Sequence, residues 1–347
     1  MRALHDDALH DDALRDGAQV TRDHWEAELA ARARAYWTPA RTEELAHGKS
    51  LLLPPAEAAP LLRALGLLRA DASMPPDRVR KYAQINHMVA LMLPAMRELR
   101  ARHERIRVLD AGCGRSYLTL LLAWCAKHVW RHPLDVLGVD RNAAVVEEGR
   151  RRTAIAQLDD VVRFEAASLD AIDLRAAWAR AFGDGDDVHA VVALHACDTA
   201  TCDALALGVA LGAEVLAVAP CCQAELARAW AGLDERGASG PFAPLWGAPH
   251  LRRETAAHVT DTLRTLLLRA VGYDVLAMEF VPSEHTRKNT LIRAIRRADG
   301  AVDPAARAQY DELVRATGGA GIALEGALAK LAAPAGTTDT VAGAVSG

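Results

Sequence analysis

Two groups of residues in this sequence have types and spacing suited to chemistry. The first is Val108-Leu109-Asp110-Ala111-Gly112-Cys113-Gly114-Arg115-Ser116-Tyr117-Leu118. An apolar run ends in a carboxylate, turns through two glycines and enters a second apolar run. Glycine is needed where a backbone turns sharply and a ligand must come close. Further on, Val136-Leu137-Gly138-Val139-Asp140 ends in another carboxylate, which can accept hydrogen bonds from two neighbouring hydroxyls. The second group is Leu194-His195-Ala196-Cys197-Asp198 together with Pro220-Cys221-Cys222-Gln223. His195 is the obvious base there, and Asp198 and Cys221 complete the catalytic candidates. Each feature also has a plain structural explanation: a glycine turn between strand and helix, helix N-caps at Asp140 and Asp198, a hydrogen-bonded histidine, and small buried cysteines.

These residues must be positioned by strand tips. From Arg107 onward, short apolar runs alternate with helix-length segments: Arg107–Ala111, Asp135–Asp140, Val161–Glu165, Val188–Leu194 and Glu214–Ala219. That alternation predicts an α/β fold with a mostly parallel sheet and helices on both faces. Tyr273–Phe280 and Thr290–Arg296 follow without a helix between them, which predicts a terminal antiparallel strand pair. Upstream, residues 21–37 have helical spacing. A long helix is expected from Asp77 to Leu99, kinked or ended by Pro94. Residues 232–253, rich in Gly, Pro and Trp, are expected to form a loop or lid. Residues 1–17 repeat a five-residue unit, as in Ala3-Leu4-His5-Asp6-Asp7. The expected divisions are a disordered acidic tail over 1–20, a helical region over 21–100, a ligand-binding domain over 101–300, and a C-terminal helix and flexible tail over 301–347.

In an open sheet of this kind a ligand sits beyond the carboxyl ends of the strands, at the point where strand order reverses. Two adenosine-containing cofactors suit a glycine loop there. The dinucleotide fingerprint wants a third glycine, but Arg115-Ser116-Tyr117-Leu118 follow Gly114. A carboxylate in the loop also repels a pyrophosphate, whereas Asp110 suits the ammonium group of S-adenosylmethionine (SAM). SAM is therefore favoured over NAD. Methyl transfer needs a positioned nucleophile, a base where that nucleophile is a hydroxyl, and exclusion of water.

Asp110-x-Gly112-x-Gly114 resembles motif I of class I SAM-dependent methyltransferases, and Asp140 resembles the acidic end of motif II. The resemblance implies a Rossmann-like seven-stranded sheet behind the N-terminal helical region. It implies that Asp110, Gly112 and Gly114 cradle the methionine end, that Asp140 with Arg141 beside it binds the ribose, and that Ser168 and Leu169 cover the adenine, with His195 bordering the cofactor. The stretch Leu194-His195-Ala196-Cys197-Asp198-Thr199-Ala200-Thr201-Cys202-Asp203 with Pro220-Cys221-Cys222 is more specific. It resembles a subgroup that includes the methyltransferase-like protein 25 group and the glutathione S-transferase C-terminal domain-containing protein. A eukaryotic tRNA 2′-O-methyltransferase carries a related pattern. This chain has Asp198 where glycine is usual, and an extra Cys202. The resemblance covers about residues 78–297. It favours RNA as the acceptor, a ribose 2′-hydroxyl among its atoms, with Lys81, Cys222, Arg287, Lys288 and Asn289 as substrate contacts. Arg80, Arg252 and Arg253 are further phosphate candidates, although all of these cations also fit an ordinary solvated surface.

The bulk composition excludes little of this. With 347 residues, 51% of them hydrophobic, the chain can build one full α/β domain and a smaller helical part. A formal charge of −4 gives no global field for nucleic acid, and no aromatic-rich stacking platform is evident. The sequence has no signal core and no stretch long enough to span a bilayer, so a cytoplasmic protein without membrane contact is expected. Six cysteines suggest thiols rather than a disulfide framework. A metal site at His195, Cys197, Cys202, Cys221 and Cys222 is disfavoured, because no Cys-x-x-Cys spacing occurs. A methyltransferase acting on a protein or small molecule, a non-catalytic SAM-binding protein and a nicotinamide enzyme remain as alternatives. Oligomeric state is open.

Overall fold

The computed structural model describes residues 22–48, 50–169, 171–183, 187–194, 196, 198–220, 223–280 and 289–332. Its centre is a seven-stranded sheet in the order β3-β2-β1-β4-β5-β7-β6. The strands are β1 (Ile106–Ala111), β2 (Leu134–Asp140), β3 (Val162–Ala166), β4 (Ala190–Ala193), β5 (Val215–Val218), β6 (Tyr273–Glu279) and β7 (Thr290–Arg296). The first five are mutually parallel, and β7 runs antiparallel to both β5 and β6. All seven expected strands form, and the expected terminal pair is antiparallel.

The strands are nearly continuous apolar runs because both faces are covered. Val108, Val136, Val192, Val215 and Ala217 join one core, and Leu109, Leu137, Val191, Leu216 and Val218 join the other. That alternation is the two-residue period of a strand. The first face is covered by helices α1 (Arg22–Tyr36), α3 (Ala59–Ala64), α4 (Pro76–Arg102), α5 (Tyr117–Trp124) and α6 (Ala143–Ile155). A π-helical turn, Cys125–Trp130, extends α5, and a short α2 (Pro39–Ala46) joins α1 to α3. The second face is covered by α7 (Leu174–Phe182), α8 (Thr199–Ala210), α9 (Glu225–Glu235), α10 (Ala243–Trp246), α11 (Pro249–Ala270), α12 (Pro304–Ala316) and α13 (Ala323–Ala332). Glycine at 138 lets β2 lie against its neighbour: a Cβ there would come within 2.6 Å of the Phe164 ring.

One expectation needs correction and two are refined. Helix α4 spans the expected stretch and runs three residues past Leu99, so Pro94 does not end it. Proline cannot bond back to Ala90, but one residue on, the Leu91 carbonyl accepts a 2.7 Å hydrogen bond from Arg293 Nη1 of β7. Residues 232–253 are mostly helix: the end of α9, all of α10 and the start of α11. Their single tryptophan and their prolines signal packing and helix starts, since Trp246 is buried and Pro249 opens α11. Within the expected C-terminal region, α13 adds a second helix after α12 because Leu324 and Leu328, one turn apart, are buried against the second core. Residues 1–20 and 333–347 lie outside the described residues. Among the described residues no helix is long and apolar enough to cross a membrane.

Candidate active site at the carboxyl edge

The chain passes from β1 outward through β2 to β3, then crosses back to β4, so strand order reverses between β1 and β4. A ligand crevice belongs beyond the carboxyl ends at that point. The loop after β1 carries Gly112 at φ +70° and Gly114 at φ +53°, conformations that side chains with a Cβ rarely adopt. The loop after β4 lies beside it: a Cβ built on Gly112 would sit 3.6 Å from the Cβ of Ala196. Gly112 and Cys113 both donate to the Val139 carbonyl, at 2.8 and 3.0 Å, which ties the glycine loop to β2.

Asp140, at the tip of β2, accepts from Gly114 N–H at 3.0 Å through one oxygen and from Asn142 N–H at 2.9 Å through the other. The helix N-cap role belongs to Asn142, whose side chain accepts from Ala144 N–H. Each Asp140 oxygen keeps a second lone pair for a further donor. Asp110 is 2% exposed and lies behind the loop, taking the Thr119 hydroxyl of α5 through Oδ2. Burial pushes its carboxyl up to about 7; the Thr119 hydrogen bond opposes that rise and the Asp140 charge adds to it. Arg141 is exposed next to Asp140. Ser168 is exposed and Leu169 half-buried in the loop after β3, and the Ser168 carbonyl accepts from Ala171 and Ile172 N–H.

Beyond β4, Asp198 adopts φ +54° and ψ −117°, the geometry of the first central residue of a type II′ turn, where glycine dominates. Its side chain does not cap α8. It caps the neighbouring α9, accepting from Ala224 N–H at 2.9 Å, Glu225 N–H at 3.0 Å and Arg228 Nη2 at 2.6 Å. Burial alone would raise the Asp198 carboxyl, but these donors outweigh it and hold the group below the ordinary carboxylate range. The Asp198 carbonyl accepts from Arg264 Nη2 at 2.8 Å. Fully buried Arg264 also bonds Asp261 at 2.9 Å, and Asp261 accepts from Gln223 Nε2 at 2.8 Å. One buried network thus ties the loop after β4 to the loop after β5.

The N-terminal part of α4 reaches the same edge. Lys81 Nζ donates to the Tyr117 hydroxyl and lies 4.0 Å from that ring's centre, at the start of α5. Asn289, just before β7, donates to Glu279 Oε1 at 2.7 Å. Arg252 donates to the Trp246 carbonyl and braces α10 against α11. His195, Cys197, Cys221, Cys222, Arg287 and Lys288 lie outside the described residues. Among those described, no group of three or more His, Cys, Asp or Glu side chains is placed to hold a metal ion. The reading of the sequence missed Arg264, Asp261 and Gln223. The signal was an arginine at core-facing spacing, three residues after an aspartate and flanked by leucines, in an otherwise ordinary helix.

Residues 80–229, less than half of the chain, match the profile of a family described as a methyltransferase domain. A search of curated proteins finds no match. Among solved structures, the chain is similar to the S-adenosylhomocysteine-bound methyltransferase PaMTH1 of Podospora anserina at 13% identity. That match covers 78% of this chain and 96% of the other, with a TM-score of 0.38. It is similar to a geranyl diphosphate methyltransferase at 16% identity, covering 75% and 99%, with a TM-score of 0.38. It is also similar to the N-terminal domain of human METTL16 at 10% identity, covering 62% and 70%, with a TM-score of 0.35.

The strand order and the glycine loop define a Rossmann-like fold, and residues 80–229 of it match a methyltransferase domain, for which SAM is the candidate cofactor. The residues present fit that cofactor. The two glycines at positive φ leave a cradle free of Cβ atoms, and Asp140 can take two hydroxyl donors.

Proposed function

We propose that this chain transfers the methyl group of SAM to an RNA acceptor, a ribose 2′-hydroxyl being the atom that a histidine base suits best. The observation that carries the reading is Lys81 standing on Tyr117 at the start of α5, beside the cofactor loop, with Arg80, Gln84 and His87 on the adjoining face of the same stretch of α4. The kinship of the Leu194–Asp203 and Pro220–Cys222 stretches with the subgroup described above supports the same acceptor.

In this reading Asp140 and Arg141 bind the ribose of the cofactor. Gly112 and Gly114 admit its methionine end, and Ser168 and Leu169 border the adenine. SAM supplies an electrophilic methyl group on a sulfonium. His195 follows the tip of β4, next to Ala196, which borders Gly112 and whose carbonyl accepts from Thr201 Oγ1 at 2.6 Å. From there His195 takes the proton of the acceptor hydroxyl as the oxygen attacks. Asp198 is a positioning residue, because its carboxylate already accepts three hydrogen bonds and is held ionised. Cys221 and Cys222 follow β5 in the chain, and Cys222, Lys81, Arg287, Lys288 and Asn289 contact the acceptor.

Incubation of the protein with methyl-labelled SAM and a cell lysate, followed by nuclease or protease digestion, tests the reading. Label released by nuclease is the expected result. Label that resists nuclease and yields to protease transfers the acceptor to protein, and SAM binding without label in any fraction leaves a non-catalytic SAM-binding protein.

A further inference from the structure

A cavity of about 480 Å³ lies between α2, the first half of α4 and the tip of β6, within the range of small-ligand sites. It is at the carboxyl edge of the sheet, because β6 runs parallel to β5 and Glu279 and Phe280 end it there. The same stretch of α4 faces two ways: Lys81 contacts Tyr117 on the cofactor side, while Arg80, Ala83, Gln84 and His87 line the cavity. The far wall is held in place. Asn86 Oδ1 accepts from Leu52 and Leu53 N–H, both at 3.1 Å, and the Tyr82 hydroxyl donates to the Leu53 carbonyl at 2.6 Å. The cavity is therefore formed without a ligand.

Its chemistry is two-sided. Leu45, Leu51, Val79 and Phe280 supply an apolar body, the Glu279 carboxylate, bonded by Asn289, closes one end, and Arg80, Gln84 and His87 form a polar edge. Among the described residues these three side chains make no hydrogen bond or ion pair, whereas Arg78, two residues before Arg80, pairs with Asp77 at 3.0 Å. An apolar slot, with a guanidinium at its rim that no described residue pairs, matches a nucleobase attached to a phosphate. Extruded bases are held between apolar and aromatic groups, and phosphates are taken by arginine.

We propose that this cavity receives the nucleotide unit of the acceptor, its base between Leu51, Val79 and Phe280 and its phosphate on Arg80. The inference rests on the RNA reading above and adds to it the place where the acceptor docks.

Titration of the full-length protein with the four ribonucleoside 5′-monophosphates, inorganic phosphate and a short single-stranded oligoribonucleotide tests it. At least one monophosphate and the oligoribonucleotide should bind, with inorganic phosphate much weaker. Arg80→Ala should weaken both by roughly tenfold or more, as should plugging the cavity with Ala83→Trp or, as a second plug, Ala90→Trp. The SAM-induced rise in melting temperature should be unchanged in all three, which shows that they fold. Absence of nucleotide binding by the wild type, or binding that survives both plugs, overturns the proposal. The two readings fail separately. RNA labelling that persists in Ala83→Trp removes the cavity and keeps the function. Nucleotide binding lost in Ala83→Trp, with label found only on protein, keeps the cavity and removes RNA as the acceptor.

Discussion

At the residue scale, the two carboxylates of the cofactor edge do different work. Asp140 is the one with lone pairs facing outward, so Asp140→Ala should weaken SAM binding by about 1–3 kcal/mol through lost charge-assisted hydrogen bonds. Isothermal titration checks this, and unchanged affinity would remove Asp140 from the site. Asp110 is a buried anchor for α5 whose carboxyl titrates near 7 when folded. A carboxyl whose folded pKa lies above its unfolded value opposes folding as pH rises from about 4 to about 7, because the folded state must give up a proton that it holds more tightly. Asp110→Asn should therefore raise the melting temperature of the cofactor-free protein more at pH 8 than at pH 5, and an equal change at both would contradict a raised pKa. The sequence showed both carboxylates and both glycines. It did not show that Thr119 would cover Asp110, because that contact depends on how the first turns of α5 face β1.

At the element scale, the loop after β4 is held by a trade between strain and hydrogen bonds. Asp198 occupies a glycine conformation at a cost of order 1–3 kcal/mol, and three hydrogen bonds to α9 offset it. Asp198→Gly loses those bonds and relieves the strain, while Asp198→Ala loses the bonds and keeps the strain. The glycine variant should unfold at a higher urea concentration than the alanine variant, and the reverse order would refute the account. The departure from glycine was legible in the sequence, but its partner, the N-terminus of α9, was not. At the opposite edge of the sheet, His189 accepts from Arg107 N–H at 2.9 Å and stacks on His103, with ring centres 3.8 Å apart. Burial and the neighbouring His103 charge hold His189 down to about 4. A histidine with a depressed folded pKa costs stability as pH falls from about 6.5 toward 4. The melting temperature should drop across that window, and less so in His189→Gln.

At the scale of the whole molecule, the mostly parallel sheet was legible because five short apolar runs are separated by helix-length segments. The antiparallel end was legible because no helix separates Tyr273–Glu279 from Thr290–Arg296. The segment 232–253 was misjudged for a physical reason. Gly, Pro, Ala and Trp look like loop composition until a second apolar face exists for them to cover, and that face belongs to α8, α9 and α12. The cavity beside α4 was equally hidden, because its walls come from α2, α4 and β6, far apart in sequence.

The account turns on where the cofactor sits. A crystal structure of the protein with S-adenosylhomocysteine measures this directly. The account predicts the ribose hydroxyls on Asp140 and the amino-acid end over Gly112 and Gly114. A ligand bound away from the tips of β1 and β2, or a crevice that stays closed at saturating ligand, would contradict it.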